Sequence, residues 1–130
     1  MRVLVTGATG FTGGWLARHL GRTGDEVRAL VRPGSCDGEP ADRLAQAGIE
    51  LASGDLRDAA SLETACQGVE VVYHIAASYR TAGQPASSYR EVNIEGTRRL
   101  LEAATGRGVR RFVHCSTGGV HGHVERPPAT

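Results

Sequence analysis

A doubly wound α/β domain with a five-stranded parallel sheet is what the 130-residue sequence predicts, on three observations. Five short apolar runs alternate with stretches of helical periodicity through short connections, the pattern of a parallel sheet with right-handed crossovers. A glycine-rich loop, Gly7-Ala8-Thr9-Gly10-Phe11-Thr12-Gly13, separates the first run from the first helix. The polar segments of chemical interest each fall just after an apolar run, or on the helix that follows. The carboxyl ends of parallel strands are where open α/β sheets bind ligands, and with such a loop after strand one the expected order is 3-2-1-4-5.

The elements follow in order. Val3-Leu4-Val5 reads as a short buried strand that stops at Gly7, and helical periodicity begins at Phe11, with Trp15, Leu16 and Leu20 recurring. Gly13 and Gly14 inside that helix each cost roughly 1 kcal/mol relative to alanine, so they need a packing or binding reason. Glu26 to Arg32 is the second strand, closed by Pro33-Gly34. A polar loop from Ser35 to Pro40 leads to a short helix, Ala41 to Ala47, which Gly48 ends; Ile49 to Ala52 is the third strand. Asp58 suits an N-cap, and Ala59, Leu62, Ala65 and Cys66 form the buried stripe of the helix after it. Past Gly68, Val69 to Ile75 is the fourth and most apolar strand. The longest helix runs from about Ser87 to Thr105, with Tyr89, Asn93, Gly96, Leu100 and Ala103 on one face. Val109 to Cys115 is the fifth strand, and Gly118 to Thr130, with Pro127-Pro128, reads as irregular. With no repeat and no linker, residues 1–130 make one domain.

Composition narrows the function classes. A net charge of +1 gives no electrostatic case for nucleic acid or an anionic membrane surface. No apolar run approaches the ~20 residues of a membrane span, and the N-terminus enters a strand without a signal-peptide pattern. Cys36, Cys66 and Cys115 are few and widely spaced, so free thiols in a reducing cytoplasm are the expectation. All 15 basic side chains are arginine, and the chain contains no lysine.

Strand, glycine loop and helix in succession form a phosphate cradle, because unpaired N–H groups at a helix N-terminus point at an anion that the helix dipole also favours. In that reading Gly7 supports the turn, Gly10 lets the backbone approach the phosphates, and Gly13 lets the helix lie close to the sheet. The alternative is a glycine-rich βα turn with no ligand. The spacing Gly7-x-x-Gly10-x-x-Gly13 is one residue longer in its first gap than the usual dinucleotide fingerprint. The segment Val5 to Gly13 resembles the opening of the extended short-chain dehydrogenase/reductases, the NAD(P)-dependent epimerase/dehydratase family, whose loop has this longer gap. The resemblance implies a Rossmann-type domain that binds NAD(P), with Gly7, Thr9, Gly10, Phe11 and Gly13 at the cofactor. The longer proteins of the family transfer a hydride to or from a sugar nucleotide or carbonyl substrate.

An NAD-binding domain needs a carboxylate at the end of strand two, about 20 residues past the glycines, for the ribose 2′-hydroxyl. Arg32 stands there instead, which favours NADP over NAD, since a guanidinium can fork onto a 2′-phosphate. Ser35 could add a hydrogen bond, and the alternative is a solvated strand end. Asp55-Leu56 resembles the family's adenine-binding pair, although Asp55 could equally order a turn. Ala76 and Ala77 resemble the segment whose small side chains let the backbone pass beside the cofactor, and Tyr79 is a candidate pocket residue. Asn93-Ile94-Glu95-Gly96-Thr97 resembles the family's Asn-x-x-Gly-Thr segment; Asn93 either contacts the active site or ties helix to sheet. Gly96 reads as a close helix–sheet contact.

Cys115-Ser116-Thr117 through Gly122 resembles the family's Ser/Thr-bearing segment, which places Ser116 and Thr117 at the catalytic hydroxyl, with His121 where tyrosine is common. This stretch is also similar to a subgroup of hopanoid-associated sugar epimerases. A metal site from His114, Cys115, His121 and His123 is not expected, because His114 and Cys115 point to opposite faces of a strand.

The family's Tyr-x-x-x-Lys pair, in which the lysine lowers the tyrosine pKa, has no counterpart among these residues. The resemblance therefore implies the N-terminal part of the family pattern, broken off after strand five, that binds dinucleotide and turns over nothing. A non-catalytic NADP-sensing module is the alternative. The edge of strand five and the helix near 87–105 are the expected surfaces for self-association.

Overall fold

The computed structural model describes residues 1–79 and 82–126, so the expectation for Pro127-Pro128 lies outside the described residues. Five parallel strands, β1 (Arg2–Thr6), β2 (Glu26–Val31), β3 (Glu50–Ser53), β4 (Val71–His74) and β5 (Arg111–His114), form one sheet in the order β3-β2-β1-β4-β5. That is the order the sequence predicts.

Alternation along β1 explains the double winding, because successive side chains on a strand point to opposite faces. Leu4 joins Leu30, Val72, Leu62 and Leu100 beneath α3 (Ala59–Ala65) and α5 (Gly96–Gly106). Val3 and Val5 join Ala29, Val31, Ala17 and Leu44 on the other face, beneath α1 (Phe11–Arg22) and α2 (Glu39–Gln46). Both faces of the central strand are sealed, so β1 carries no exposed residue after Arg2.

The buried face of α1 differs from the expected one. Phe11 is 95% exposed and Trp15 59% exposed, while Gly13, Gly14 and Ala17 are buried. The reason is distance: a Cβ on Gly13 would lie 2.2 Å from the Gly7 carbonyl oxygen, and one on Gly14 would lie 2.8 Å from that of Ala8. The helix comes so near the preceding loop that only small residues fit, and the large side chains stay outside. Trp15 stacks on His19 there, ring centroids 5.0 Å apart.

Other boundaries shift by a residue or two. β2 ends at Val31, which leaves Arg32 at the head of a 3-10 turn, Pro33–Ser35. α2 starts at Glu39 with Pro40 in its first turn, where a missing N–H costs nothing. The longest helix is composite: α4 (Ala86–Arg90) runs through a π turn, Glu91–Glu95, into α5. Gly96 makes a close contact, but with the turn after β3 and not with the sheet itself: the Leu56 Cβ would lie 2.9 Å from an added methyl group. After β5 the stretch expected to be irregular holds a 3-10 turn, Gly118–His121.

Asp58 caps α3: its carboxylate accepts from the Ala60 N–H at 3.1 Å. Ala59 of the expected stripe is exposed, whereas Leu62, Ala65 and Cys66 are buried. Replacing Asp58 by alanine leaves that donor without its partner and should lower stability by about 1 kcal/mol, read as a shift of the urea midpoint at constant m-value. All three cysteines are free, and burial pushes the Cys66 thiol up to about 11. No helix among the described residues is long and apolar enough to cross a membrane.

Candidate functional site

A cleft of about 1310 Å³ opens across the carboxyl ends of β1, β2, β3 and β4. Its floor is the loop between β1 and α1. Gly7 adopts φ +70°, a left-handed conformation that favours glycine, and its carbonyl accepts from the Gly10 N–H at 3.0 Å to close the turn. The opening amides of α1, at Phe11, Thr12 and Gly13, have no carbonyl one turn earlier, and the N-cap residue Gly10 has no side chain to cap them. A Cβ on Gly10 would meet nothing within 4 Å except the Gly7 oxygen at 3.3 Å. Gly10 therefore presents bare backbone to open space. Thr9 and Phe11 flank it on the cleft surface.

The far end of the cleft carries charge. Arg32 projects from the end of β2, exposed, and has no ion pair among the described residues. Asp55, past the end of β3, accepts from the Arg57 backbone N–H at 2.9 Å and from its guanidinium at 3.0 and 2.7 Å. Both readings of Asp55 thus have a basis: it orders the turn before α3, and it also lines the cleft. The Arg57 guanidinium holds its carboxyl at about 2, below the usual carboxylate range, with Arg32 adding to the effect. Leu56 lines the cleft beside it.

Ser87, Ser88, Glu91 and Val92 of α4 and the π turn line the cleft as well, and a further wall is the segment after β4, Ile75 to Tyr79, with Ala76 and Ala77 at its centre. Asn93 lies behind that wall. Its Oδ1 accepts from the Ser78 N–H at 2.7 Å and its Nδ2 donates to the Ser78 carbonyl at 2.9 Å. Of the two roles considered, the observed contact is the tie between helix and sheet-end loop. The π turn occurs where Asn93 reaches across, consistent with the association of such bulges with functional sites.

Ser116 and Thr117 are not among the residues that line the cleft. After His114 the chain makes one more bond to the sheet, from the Cys115 N–H to the His74 carbonyl at 3.0 Å, and then leaves it. Thr117 caps its own 3-10 turn, accepting from the Gly119 N–H at 3.2 Å. β5 is the edge of the sheet, and no strand lies beyond it among the described residues to draw this segment inward. No cluster of three potential metal ligands occurs among the described residues.

Sequence reasoning missed three residues that brace the site: Thr6, His74 and Thr97. Thr6 and His74 are the buried polar side chains among the described residues, and they bond each other at 2.7 Å. A threonine just before the glycines and a histidine in the most apolar strand were available as a signal. Neither strand by itself shows that they pair.

The family model for the NAD dependent epimerase/dehydratase family matches residues 3–130. A protein of Methylococcus capsulatus named Sterol demethylase protein B is 44% identical over 94% of this chain and 36% of its own length. The crystal structure of a short-chain dehydrogenase/reductase superfamily protein from Agrobacterium tumefaciens with bound NAD is 35% identical, with a TM-score of 0.81, covering 98% of this chain and 37% of that one. A dTDP-glucose 4,6-dehydratase from Streptomyces venezuelae, crystallised with NAD, is 35% identical with a TM-score of 0.80, covering 97% of this chain and 42% of that one. The chain spans about a third of the length of the curated relatives it matches.

Proposed function

The chain belongs to the NAD-dependent epimerase/dehydratase family, and from that premise we propose that its cleft binds a nicotinamide dinucleotide, NADPH in preference to NADH. The observation that carries the reading is the pairing, in one cleft, of a bare-backbone glycine loop with an exposed guanidinium at the end of β2 that makes no ion pair among the described residues. The residues present fit such a group. Phe11, Thr12 and Gly13 would offer their amides to the diphosphate across the bare face of Gly10, and Gly7 and Thr9 would shape the turn. Asp55 and Leu56 would meet the adenine ring, and Arg32 the 2′-phosphate. Ala76 and Ala77, followed by Ser78, whose backbone Asn93 holds, would leave room beside the nicotinamide ribose. The chemistry such a group would supply in the family's longer proteins is hydride exchange with a hydroxyl or carbonyl carbon, which no side chain supplies.

The substrate class of the longer proteins, a sugar nucleotide or a carbonyl compound, carries over as part of this proposal. Ser116 and Thr117 are the hydroxyls that would hold its reacting oxygen. Their position outside the cleft favours a chain that, as it stands, binds dinucleotide and turns over nothing. That observation also supports the second reading, a non-catalytic NADP sensor.

Calorimetric titration tests the proposal. Wild type should bind NADPH more tightly than NADH, and Arg32→Ala should erase the difference, a loss of about ten-fold or more for NADPH alone, as expected for a charge-assisted pair. Equal affinities in the wild type would remove the role given to Arg32. Measurable hydride transfer by this chain would overturn the claim of inactivity.

A further inference from the structure

His74 sits inside the sheet, 1% exposed, and each of its ring nitrogens has a threonine partner. Counting hydrogens around it leaves one arrangement. The Thr97 hydroxyl donates its proton to the Asn93 carbonyl at 2.8 Å, so toward His74 Nε2, at 2.9 Å, it can only accept. Nε2 therefore carries a hydrogen. On the other side, the Ile75 and Ala76 N–H groups both donate to Thr6 Oγ1, at 3.2 and 3.1 Å. With both lone pairs engaged, Thr6 sends its own hydrogen to His74 Nδ1 at 2.7 Å, which must be bare. A neutral ring with its proton on Nε2 satisfies every group, whereas a charged ring would set two hydrogens against each other between Nδ1 and Thr6.

We propose that His74, as the neutral Nε2–H tautomer, is the positioning residue of the dinucleotide cleft. By accepting the Thr6 hydroxyl's hydrogen bond it keeps Thr6 Oγ1 as a double acceptor that clamps the Ile75 and Ala76 amides. The clamp sets two cleft walls against each other: a Cβ on Gly7 would lie 2.8 Å from the Ala76 nitrogen and 2.9 Å from its Cα. Through Thr97 the same set of bonds reaches Asn93, whose side chain holds Ser78, the next part of the wall. Loop, strand end and helix are thus joined through one imidazole. The groups that face it are Thr6 from β1, Thr97 from α5, and Phe112 and His114 from β5, with ring centroids at 5.9 and 5.4 Å; of these only His114 has an ionisable side chain. The inference rests on the dinucleotide reading of the cleft only for the identity of what is positioned.

Nitrogen NMR of the full chain should show His74 with Nε2 protonated and Nδ1 bare at neutral pH. Thr6→Val keeps the side-chain shape and removes the hydroxyl, so amide exchange at Ile75 and Ala76 should accelerate, and NADPH and NADH should both weaken by about ten-fold. Thr6→Ser should recover most of the loss, and His74→Asn, which keeps an acceptor near Nδ1, should recover more than His74→Leu. A charged His74, an Nδ1–H tautomer, or unchanged exchange in Thr6→Val overturns the inference whether or not a dinucleotide binds. If wild type binds neither NADPH nor NADH, the reading of the cleft fails, and exchange at the two amides still decides whether the clamp exists.

Discussion

Gly10→Ala should leave the fold nearly unchanged and abolish tight dinucleotide binding, while Gly13→Ala, three residues along the same loop, should damage the fold itself. The difference is geometric. Gly10 has φ −86°, which alanine adopts freely, and its added methyl group would press only on the Gly7 oxygen at 3.3 Å, otherwise facing open cleft. If a diphosphate approaches that bare backbone, the methyl occupies its place, and a steric cost of about 1–3 kcal/mol corresponds to roughly a 5- to 150-fold loss of affinity. A methyl on Gly13 would lie 2.2 Å from the Gly7 oxygen and 2.6 Å from its carbonyl carbon, with Gly7 itself pinned against Ala76. α1 must then move off the loop. Even after alanine returns about 1 kcal/mol of helix propensity, a net loss of about 2 kcal/mol is expected. Thermal unfolding by circular dichroism separates the two variants, and calorimetric titration completes the test. A Gly10→Ala chain that binds NADPH like wild type would show that the cradle is not where a diphosphate sits.

Acid should destabilise the chain well above the carboxylate range, and His74 should account for it. Burial, reinforced by the nearby His114, pushes its ring down to about 4 from the ordinary 6.5. A depressed histidine binds its proton more readily in the unfolded chain, so stability rises with pH wherever only the unfolded state is protonated. The contribution is therefore complete above about pH 6.5, declines as the pH falls toward 4, and is exhausted below it. The total is about 3 kcal/mol at 1.36 kcal/mol per pKa unit. Asp55, held at about 2 by Arg57, has the same sign but acts lower, between its ordinary 3.8 and 2, so the two windows do not overlap. Urea midpoints for wild type and His74→Asn, followed from pH 7.5 to 4.5, make the comparison. The wild-type curve should fall across this interval and the variant's should fall less. Parallel curves would mean that His74 is already charged in the folded state, or that another group governs the acid response.

Much of the architecture was legible because it depends on periodicity and on backbone rules that need no neighbour to be known. Apolar runs of strand length, alternating with helical stretches, dictate parallel pairing, and the glycine loop after the first run orients the whole sheet. Asp58 could be read as a cap because its carboxylate acts two residues away, and Gly96 as a close contact because a glycine inside a helix calls for one. The buried face of α1 was not legible. Phe11, Trp15, Leu16 and Leu20 form an apolar stripe that suits the core, yet the 2.2 Å clearance at Gly13 forces the small residues inward and turns Phe11 and Trp15 out.

The sequence by itself determined the sheet order, the glycine loop, and the placing of Arg32 and Asp55 at strand ends beside it, since each follows from local chain chemistry and the right-handedness of the crossovers. Only the tertiary structure decided which groups meet. Asn93 turns to the Ser78 backbone, 15 residues away, and His74 on β4 meets Thr6 on β1 across 68 residues of chain. The physical reason is one of range. Secondary structure answers to neighbours a few residues away, whereas a buried hydrogen bond needs a partner whose place is set only when the sheet has assembled.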